Sequence, residues 1–147
     1  MKKLILATVI LLTVSATTAM AKGTKKVDPK VLSSFKKEFV NATNVHWLTA
    51  DDVSRASFVL NESRIQAYFS NEGELLGTER NILFAQLPLS VVKEVNSRYG
   101  LTPVYGITEY NNGSGTFYYM TVELASKKLT VRATPYGDVY VEKKTRK

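Results

Sequence analysis

The chain is predicted to form an α+β domain of two tandem helix-plus-antiparallel-meander repeats, with the helices packed on one face of the sheet. Three observations lead there. Residues 64–80 (RIQAYFSNEGELLGTER) lie without a gap over residues 128–144 (KLTVRATPYGDVYVEKK), placing Gly73 on Gly137 and Glu74 on Asp138. The helical stripe Val31, Leu32, Phe35, Phe39 recurs 60 positions later as Val91, Val92, Val95, Tyr99. Between these stripes lie alternating apolar and polar runs punctuated by Asn and Gly, the mark of antiparallel hairpins. A repeat of this length means two copies of one supersecondary unit, each expected to need the other to cover its core.

The elements follow in order. Asp28 caps a first helix and Pro29 is preset for its first turn. Val31, Leu32, Phe35 and Phe39 form its apolar stripe while Lys36, Lys37 and Glu38 face water. Asn41 and Asn44 suit the exit turn. Val45–Leu48 makes a short strand and Asp51-Asp52 a turn. Ala56, Phe58 and Leu60 then alternate with Arg55, Ser57 and Val59; Ile65, Ala67 and Phe69 alternate with Gln66 and Tyr68. Asn71-Glu72-Gly73 turns into a strand holding Leu75. The second helix starts around Pro88, and Gly100 suits its end because glycine takes the left-handed conformation freely. Met120, Val122 and Leu124 match Ala56, Phe58 and Leu60, now 64 positions on. The growth of the offset from 60 to 64 is assigned to a loop, Asn111-Asn112-Gly113-Ser114-Gly115. The expected core is Leu32, Phe35, Phe39, Trp47, Phe58, Leu60, Ile65, Phe69, Val92, Val95, Tyr99, Met120, Val122, Leu124 and Val131.

The ends and the charge bound the class. Lys2 and Lys3 precede an apolar stretch, Leu4 to Val14, and small residues lead to Ala19-Met20-Ala21. This is the order of a secretory signal peptide (residues 1–21) cleaved after Ala21, giving a periplasmic or secreted protein. The apolar run is short of the ~20 residues of a spanning helix. Residues 22–27 read as a disordered basic segment, 28–142 as one domain (repeats 28–80 and 87–142), and 143–147 as a basic tail. The chain has no cysteine, which excludes thiol catalysis and disulfides. The net charge is +7, yet Val31 to Glu142 carries 10 Lys/Arg against 12 Asp/Glu. The excess therefore belongs to the ends rather than to a basic groove, and nucleic acid is not an expected partner.

The segment Phe39-Val40-Asn41-Ala42-Thr43-Asn44-Val45-His46-Trp47 resembles the Phe-Pro-x-Ala-x-x-Val-x-Trp signature of the PepSY-like, β-lactamase-inhibitor-protein-like exported proteins of Bacteroidetes. Tyr68-Phe69, Gly73-Glu74-Leu75 and Leu87-Pro88 also fit, in order, so the resemblance spans roughly Val31 to Val141. Val40 stands where the family usually has proline, which affects how the chain leaves the first helix. The resemblance implies a tandem helix-plus-sheet fold with a sheet face available to another protein. It does not imply inhibition of a β-lactamase. PepSY-type domains are often proposed to restrain exported peptidases, a fold-level analogy.

No catalytic constellation accompanies the repeat. His46 is the single histidine, points away from the core, and has no Gly-x-Ser-x-Gly nucleophile to serve. Asp51-Asp52 reads as a solvated turn, because adjacent side chains on a strand or turn diverge. Glu72, Glu74 and Asp138 flank turn glycines without the acidic alternation of a calcium loop. No cofactor and no metal is expected. If Tyr118 and Met120 face the core, Phe117 and Tyr119 face out, and Tyr68 and Tyr140 share that parity; Tyr136 lies in the last hairpin turn. Exposed aromatics anchor protein partners, although cross-strand pairing would also account for them. With His46 they make the candidate partner-binding set: Tyr68, Phe117, Tyr119, Tyr140 and His46.

The expected function is therefore a non-enzymatic exported protein-binding module, an inhibitor or modulator of an exported hydrolase, using the exposed sheet face. Its alternative is a small ligand or metal held between the repeats; a hydrolase using Asp51 or glutamates ranks last. Where the halves differ, a specific site is expected first: His46-Trp47 against Gly106-Ile107, Arg55 against Tyr119, and the glycine-rich loop.

Overall fold

The computed structural model describes residues 26–147, so the expected signal peptide and most of the basic segment after it lie outside the described residues. Helix α1 (Pro29–Glu38) is followed by strands β1 (Thr43–Ala50), β2 (Val53–Leu60), β3 (Ser63–Ser70) and β4 (Leu75–Asn81). A 3-10 turn (Phe84–Gln86) leads to α2 (Leu89–Tyr99), then β5 (Val104–Asn112), β6 (Gly115–Glu123), β7 (Lys127–Ala133) and β8 (Val139–Arg146). All eight strands form one antiparallel sheet in sequence order, β1 to β8. The helices begin and end as the chemistry of their termini requires. Asp28 accepts a 2.8 Å hydrogen bond from the Lys30 amide, Pro29 opens α1, and Gly100 ends α2 at φ 62.

Strand register decides which residues share a face. Phe58, Ile65, Arg80, Glu109, Tyr118, Ala133 and Val139 pair in one continuous row across β2 to β8. Val31 and Phe35 of α1 cluster with Ala56, Phe58, Ala67 and Phe69 on this face. Val91 and Val95 of α2 cluster with Tyr118, Met120, Val122, Leu129, Val131 and Ala133 on the same face. The first cluster is aromatic: Phe35 meets Phe58 edge-on at 5.0 Å between ring centroids and Trp47 at 5.2 Å.

The core is thus two clusters, not the one shared core expected from the repeat. The reason lies between them, on β4 and β5. Thr78 and Asn111 are cross-strand partners there, as are Arg80 and Glu109, on the face where the apolar residues sit to either side. Arg80 Nε donates to Glu109 Oε1 at 2.7 Å and Asn111 Nδ2 to Thr116 Oγ1 at 3.1 Å. A partly exposed polar seam of this kind contributes little stability, and it interrupts the apolar surface.

Most of the expected core is placed as expected. Phe35, Phe58, Phe69, Val95, Met120, Val122 and Val131 are buried, while Phe39, Trp47, Leu60, Ile65, Val92, Tyr99 and Leu124 are half-buried against the two clusters. Leu32 is half-buried and lines an open groove beside Trp47. Val31 and Val91, in the apolar stripes of the helices but absent from the expected core, are both fully buried. The small residues Ala56, Ala67 and Ala133, inward by alternation though absent from the expected core, are also fully enclosed where the helices approach the sheet.

Two further expectations change. Asn111 and Asn112 belong to β5 and Gly115 to β6, with only Gly113-Ser114 left as a turn, so the additional residues lengthen a hairpin instead of making a loop. The basic end, expected as a tail from residue 143, is strand as far as Arg146: Lys143 pairs with Thr130, Lys144 with Leu129 and Arg146 with Lys127.

Gly77 carries a consequence for stability. A Cβ there would stand 2.8 Å from the Asn111 carbonyl oxygen and 3.1 Å from the Tyr110 hydroxyl. Gly77→Ala is therefore expected to cost about 1–3 kcal/mol, as overpacking does. Urea unfolding monitored by tryptophan fluorescence checks it; a midpoint equal to wild type would mean that β4 and β5 part easily.

Candidate functional site

The face of the sheet opposite the two apolar clusters is built from the other strand parity. One row joins His46, Ser57, Gln66, Glu79, Tyr110 and Phe117 from β1 to β6. A second joins Leu48, Arg55, Tyr68, Gly77 and Asn112. A third runs Asn81, Thr108, Tyr119, Arg132 and Tyr140. All five sequence-nominated residues therefore stand on this one outer face. They do not form one pocket, because β1 and β8 are the two edges of the sheet, separated along it by about 34 Å at ~4.8 Å per strand.

Two patches result, with His46 left apart on β1. In the first, Tyr68 lies between Arg55 and Gly77 in its row, and Gln66 Nε2 donates to Glu79 Oε1. Arg55 Nε is enclosed and finds no hydrogen-bond partner among the described residues, an unusual state for a buried donor. In the second, the Arg132 guanidinium lies 5.3 Å from the Phe117 ring centroid and 4.9 Å from that of Tyr140. Glu142 holds it there, accepting from Arg132 Nε at 2.7 Å. Such cation–π contacts are worth about 0.5–1 kcal/mol each at exposed sites. They fix the aromatics in place without burying them: Tyr140 remains 48% exposed.

Sequence reasoning missed the residue that links the patches. Tyr110, on β5, stands between Glu79 and Phe117 and reaches its hydroxyl over Gly77. The period-two alternation of Ile107 and Glu109 against Thr108 and Tyr110 was the available signal, and a bulge between Tyr105 and Thr108 adds Tyr105 to the outer side. The alternation was obscured by the glycine-rich stretch that follows. Arg132 was missed because its importance comes from Phe117 and Tyr140, which lie on neighbouring strands.

Burial raises the Tyr68 phenol to about 12, with the Glu79 carboxylate adding to the rise and Arg55 opposing it. Burial likewise raises Tyr119, against the pull of Arg132. The raised Tyr68 value means the fold favours the neutral phenol. Its stabilisation is complete below the ordinary value of 10.0 and is lost as pH climbs through about 12, because only the unfolded chain releases the proton in that window. Tyr68→Phe should remove this part of the alkaline loss of stability, and it should remove the last tyrosine to ionise in an absorbance titration. A titration with an unchanged final step would show that Tyr68 is not the shielded phenol.

His46, Asp51 and Asp52 are all exposed, with His46 on β1 and the two aspartates in the turn that follows. Among the described residues no group of three His, Cys, Asp or Glu is arranged to hold a metal, and no helix is long and apolar enough to cross a membrane.

No protein-family model matches the chain, and no curated protein does. Solved structures do match its fold. A BLIP-like protein from Bacteroides fragilis superposes with a TM-score of 0.75 at 22% identity, over 85% of this chain and 91% of that one. A DUF2874 family protein from Bacteroides uniformis gives 0.71 at 17% identity, over 82% and 90%. One from Bacteroides ovatus gives 0.70 at 22% identity, over 83% and 89%. At these identities the likeness is one of fold, and the chain has the fold of the BLIP-like and DUF2874 family proteins of Bacteroides, as the sequence resemblance implied.

Proposed function

We propose that this chain is an exported, non-enzymatic binding module that holds a protein partner on the outer face of its sheet. The observation that carries the reading is the row structure of that face. Tyr68, Tyr110, Phe117, Tyr119 and Tyr140 stand there together, braced by Arg132, while the apolar residues of both helices are occupied on the opposite side. Aromatics and arginine held rigid before binding lose little entropy when they dock. The signal-peptide pattern at residues 1–21 supports a periplasmic or secreted location. The BLIP-like description of the Bacteroides fragilis structure favours an exported hydrolase as the class of partner.

The tandem reading of the architecture belongs with this proposal. Gly73 and Gly137 occupy matching turns at φ +87 and +98, and each faces a helix carbonyl, Lys30 and Ser90 respectively. Those carbonyls are themselves 60 positions apart. The turns also repeat their hydrogen bonds: Ser70 to Glu74 and Gly73 to Ser70, then Thr134 to Asp138 and Gly137 to Thr134. Two helix-plus-meander units sharing one sheet and presenting one outer face are the simplest source of this match. Ligand binding between the repeats is less well supported, since Arg80 and Glu109 at the seam bind each other.

Pull-down from a periplasmic extract tests the face. Tyr68→Ala and Tyr119→Ala should each reduce partner recovery by about tenfold or more, the scale of an anchoring aromatic, whereas Lys37→Ala on α1 should not. Full recovery with both tyrosine variants would remove the case for this face.

A further inference from the structure

The geometry points to β8 as a docking edge for an acidic peptide segment in extended conformation. β8 is the last strand of the sheet, and among the described residues no strand pairs with its outer side. The Val139 carbonyl accepts from Arg98 Nη1 at 2.7 Å, but beyond it the outward backbone amides and carbonyls of β8 form a hydrogen-bonding row left free among the described residues, the template onto which another strand can add. All its residues after Val139 are exposed.

The charge around that row is predominantly positive. Lys143 pairs with Thr130, which stands opposite Thr121, and Lys128 pairs with Thr145; both lysines share the outer parity. Lys144 opposite Leu129, and Arg146 opposite Lys127, take the helix-side parity. With Lys147, six cations occupy this corner and flank the backbone row on both sides. Two carboxylates stand beside them: Glu123, which pairs with Lys147 at 2.8 Å and Lys128 at 3.9 Å, and Glu142 on β8 itself, which is taken up by Arg132 at 2.7 Å. Lys127, Lys143, Lys144 and Arg146 have no ion-pair partner among the described residues.

Lysine on an edge strand commonly serves to prevent pairing between copies, and here it does exclude β8 pairing with β8, which would set cation against cation. That role does not account for six cations. The opposite edge manages without them: β1 carries no Lys, Arg, Asp or Glu, and is instead made irregular between Thr43 and His46, with Asn44 at φ 52. β1 of a second copy also offers β8 no carboxylate. An acidic segment supplies both halves of the match, backbone groups for the free row and carboxylates for the cations. A backbone-free polyanion supplies only the second. The edge meets the aromatic face at Tyr140, but the match rests on backbone groups and cations, so this inference does not depend on that reading.

The test uses a fluorescent peptide rich in glutamate and valine, a proline-interrupted peptide of equal charge, and polyphosphate, with binding read by anisotropy and by backbone amide shifts. The glutamate–valine peptide should bind, shift the β8 amides, and weaken with added salt. The proline peptide should bind at least about tenfold more weakly, because proline lacks the amide donor. The combined change Lys143→Glu, Lys144→Glu and Arg146→Glu should lose binding with an unshifted melting transition, and the gentler triple glutamine variant should weaken it in the same direction. Tyr68→Ala and Tyr119→Ala should leave it unchanged. Equal binding of the proline peptide or of polyphosphate would overturn the inference, as would binding that survives charge reversal or no binding of any probe.

Discussion

Replacing Phe58 with alanine should lower the unfolding free energy by about 3–5 kcal/mol, the usual cost of removing a buried phenylalanine. Phe58 is 1% exposed and packs against Phe35 at 5.0 Å and Phe39 at 4.8 Å between ring centroids. Its cluster has only six buried members, two of them alanines, so losing the ring removes a large share of that core. Because the second cluster shares no residue with the first, the damage should be local as well as large. Amide hydrogen exchange should show protection falling more steeply in β1 to β3 than in β6 and β7. Equal loss across all eight strands would mean that the polar seam transmits packing after all.

Gly73→Ala should be the next most damaging change, at about 2–3 kcal/mol. Two costs combine there. The left-handed region disfavours any residue with a Cβ by roughly 1–2 kcal/mol, and φ at Gly73 is +87. The added carbon would also stand 3.0 Å from the Lys30 carbonyl oxygen, a backbone atom of α1 that cannot swing away. Gly137→Ala should behave alike, facing the Ser90 carbonyl at 3.1 Å with φ +98. Gly100 separates the two costs, since its φ is +62 but nothing lies within 4 Å of an added Cβ. Gly100→Ala should cost about 1–2 kcal/mol, from its backbone conformation alone. Denaturant unfolding of the three variants measures the difference; Gly100→Ala as damaging as Gly73→Ala would show that the helix contact contributes nothing.

The same glycines show how much could be read from the chain before its fold was known. Gly73 and Gly137 were visible as a repeat because a turn that must approach a helix closely tolerates nothing else, and local constraints of this kind leave marks at fixed spacing. Asp28, Pro29 and Gly100 were legible for the same reason. The strand cores were legible in part: Phe58, Met120, Ala56 and Ala67 all fall on the apolar side of alternating runs, but the full burial of the two alanines reflects the approach of a helix distant in sequence. The separation into two cores depends on Thr78, Arg80, Glu109 and Asn111 meeting across β4 and β5, and no single segment reveals that pairing.

The candidate face followed the same division. Parity on single strands placed Tyr68, Phe117, Tyr119, Tyr140 and His46 outward, and all five are outward. Parity could not tell that His46 stands on the opposite edge strand from Tyr140, or that Arg132 and Tyr110 complete the patches. The basic end was misread because a run of lysines resembles a solvated tail, whereas pairing with β7 makes it a strand.

A photocrosslinking amino acid placed at Tyr119, and separately at Lys37 on α1, tests the docking face most directly when the protein is expressed and exported in its native cell. The Tyr119 site should capture a discrete protein partner that the Lys37 site does not. Capture at Lys37 alone, or the same products at both positions, would contradict a partner-binding role for the outer face.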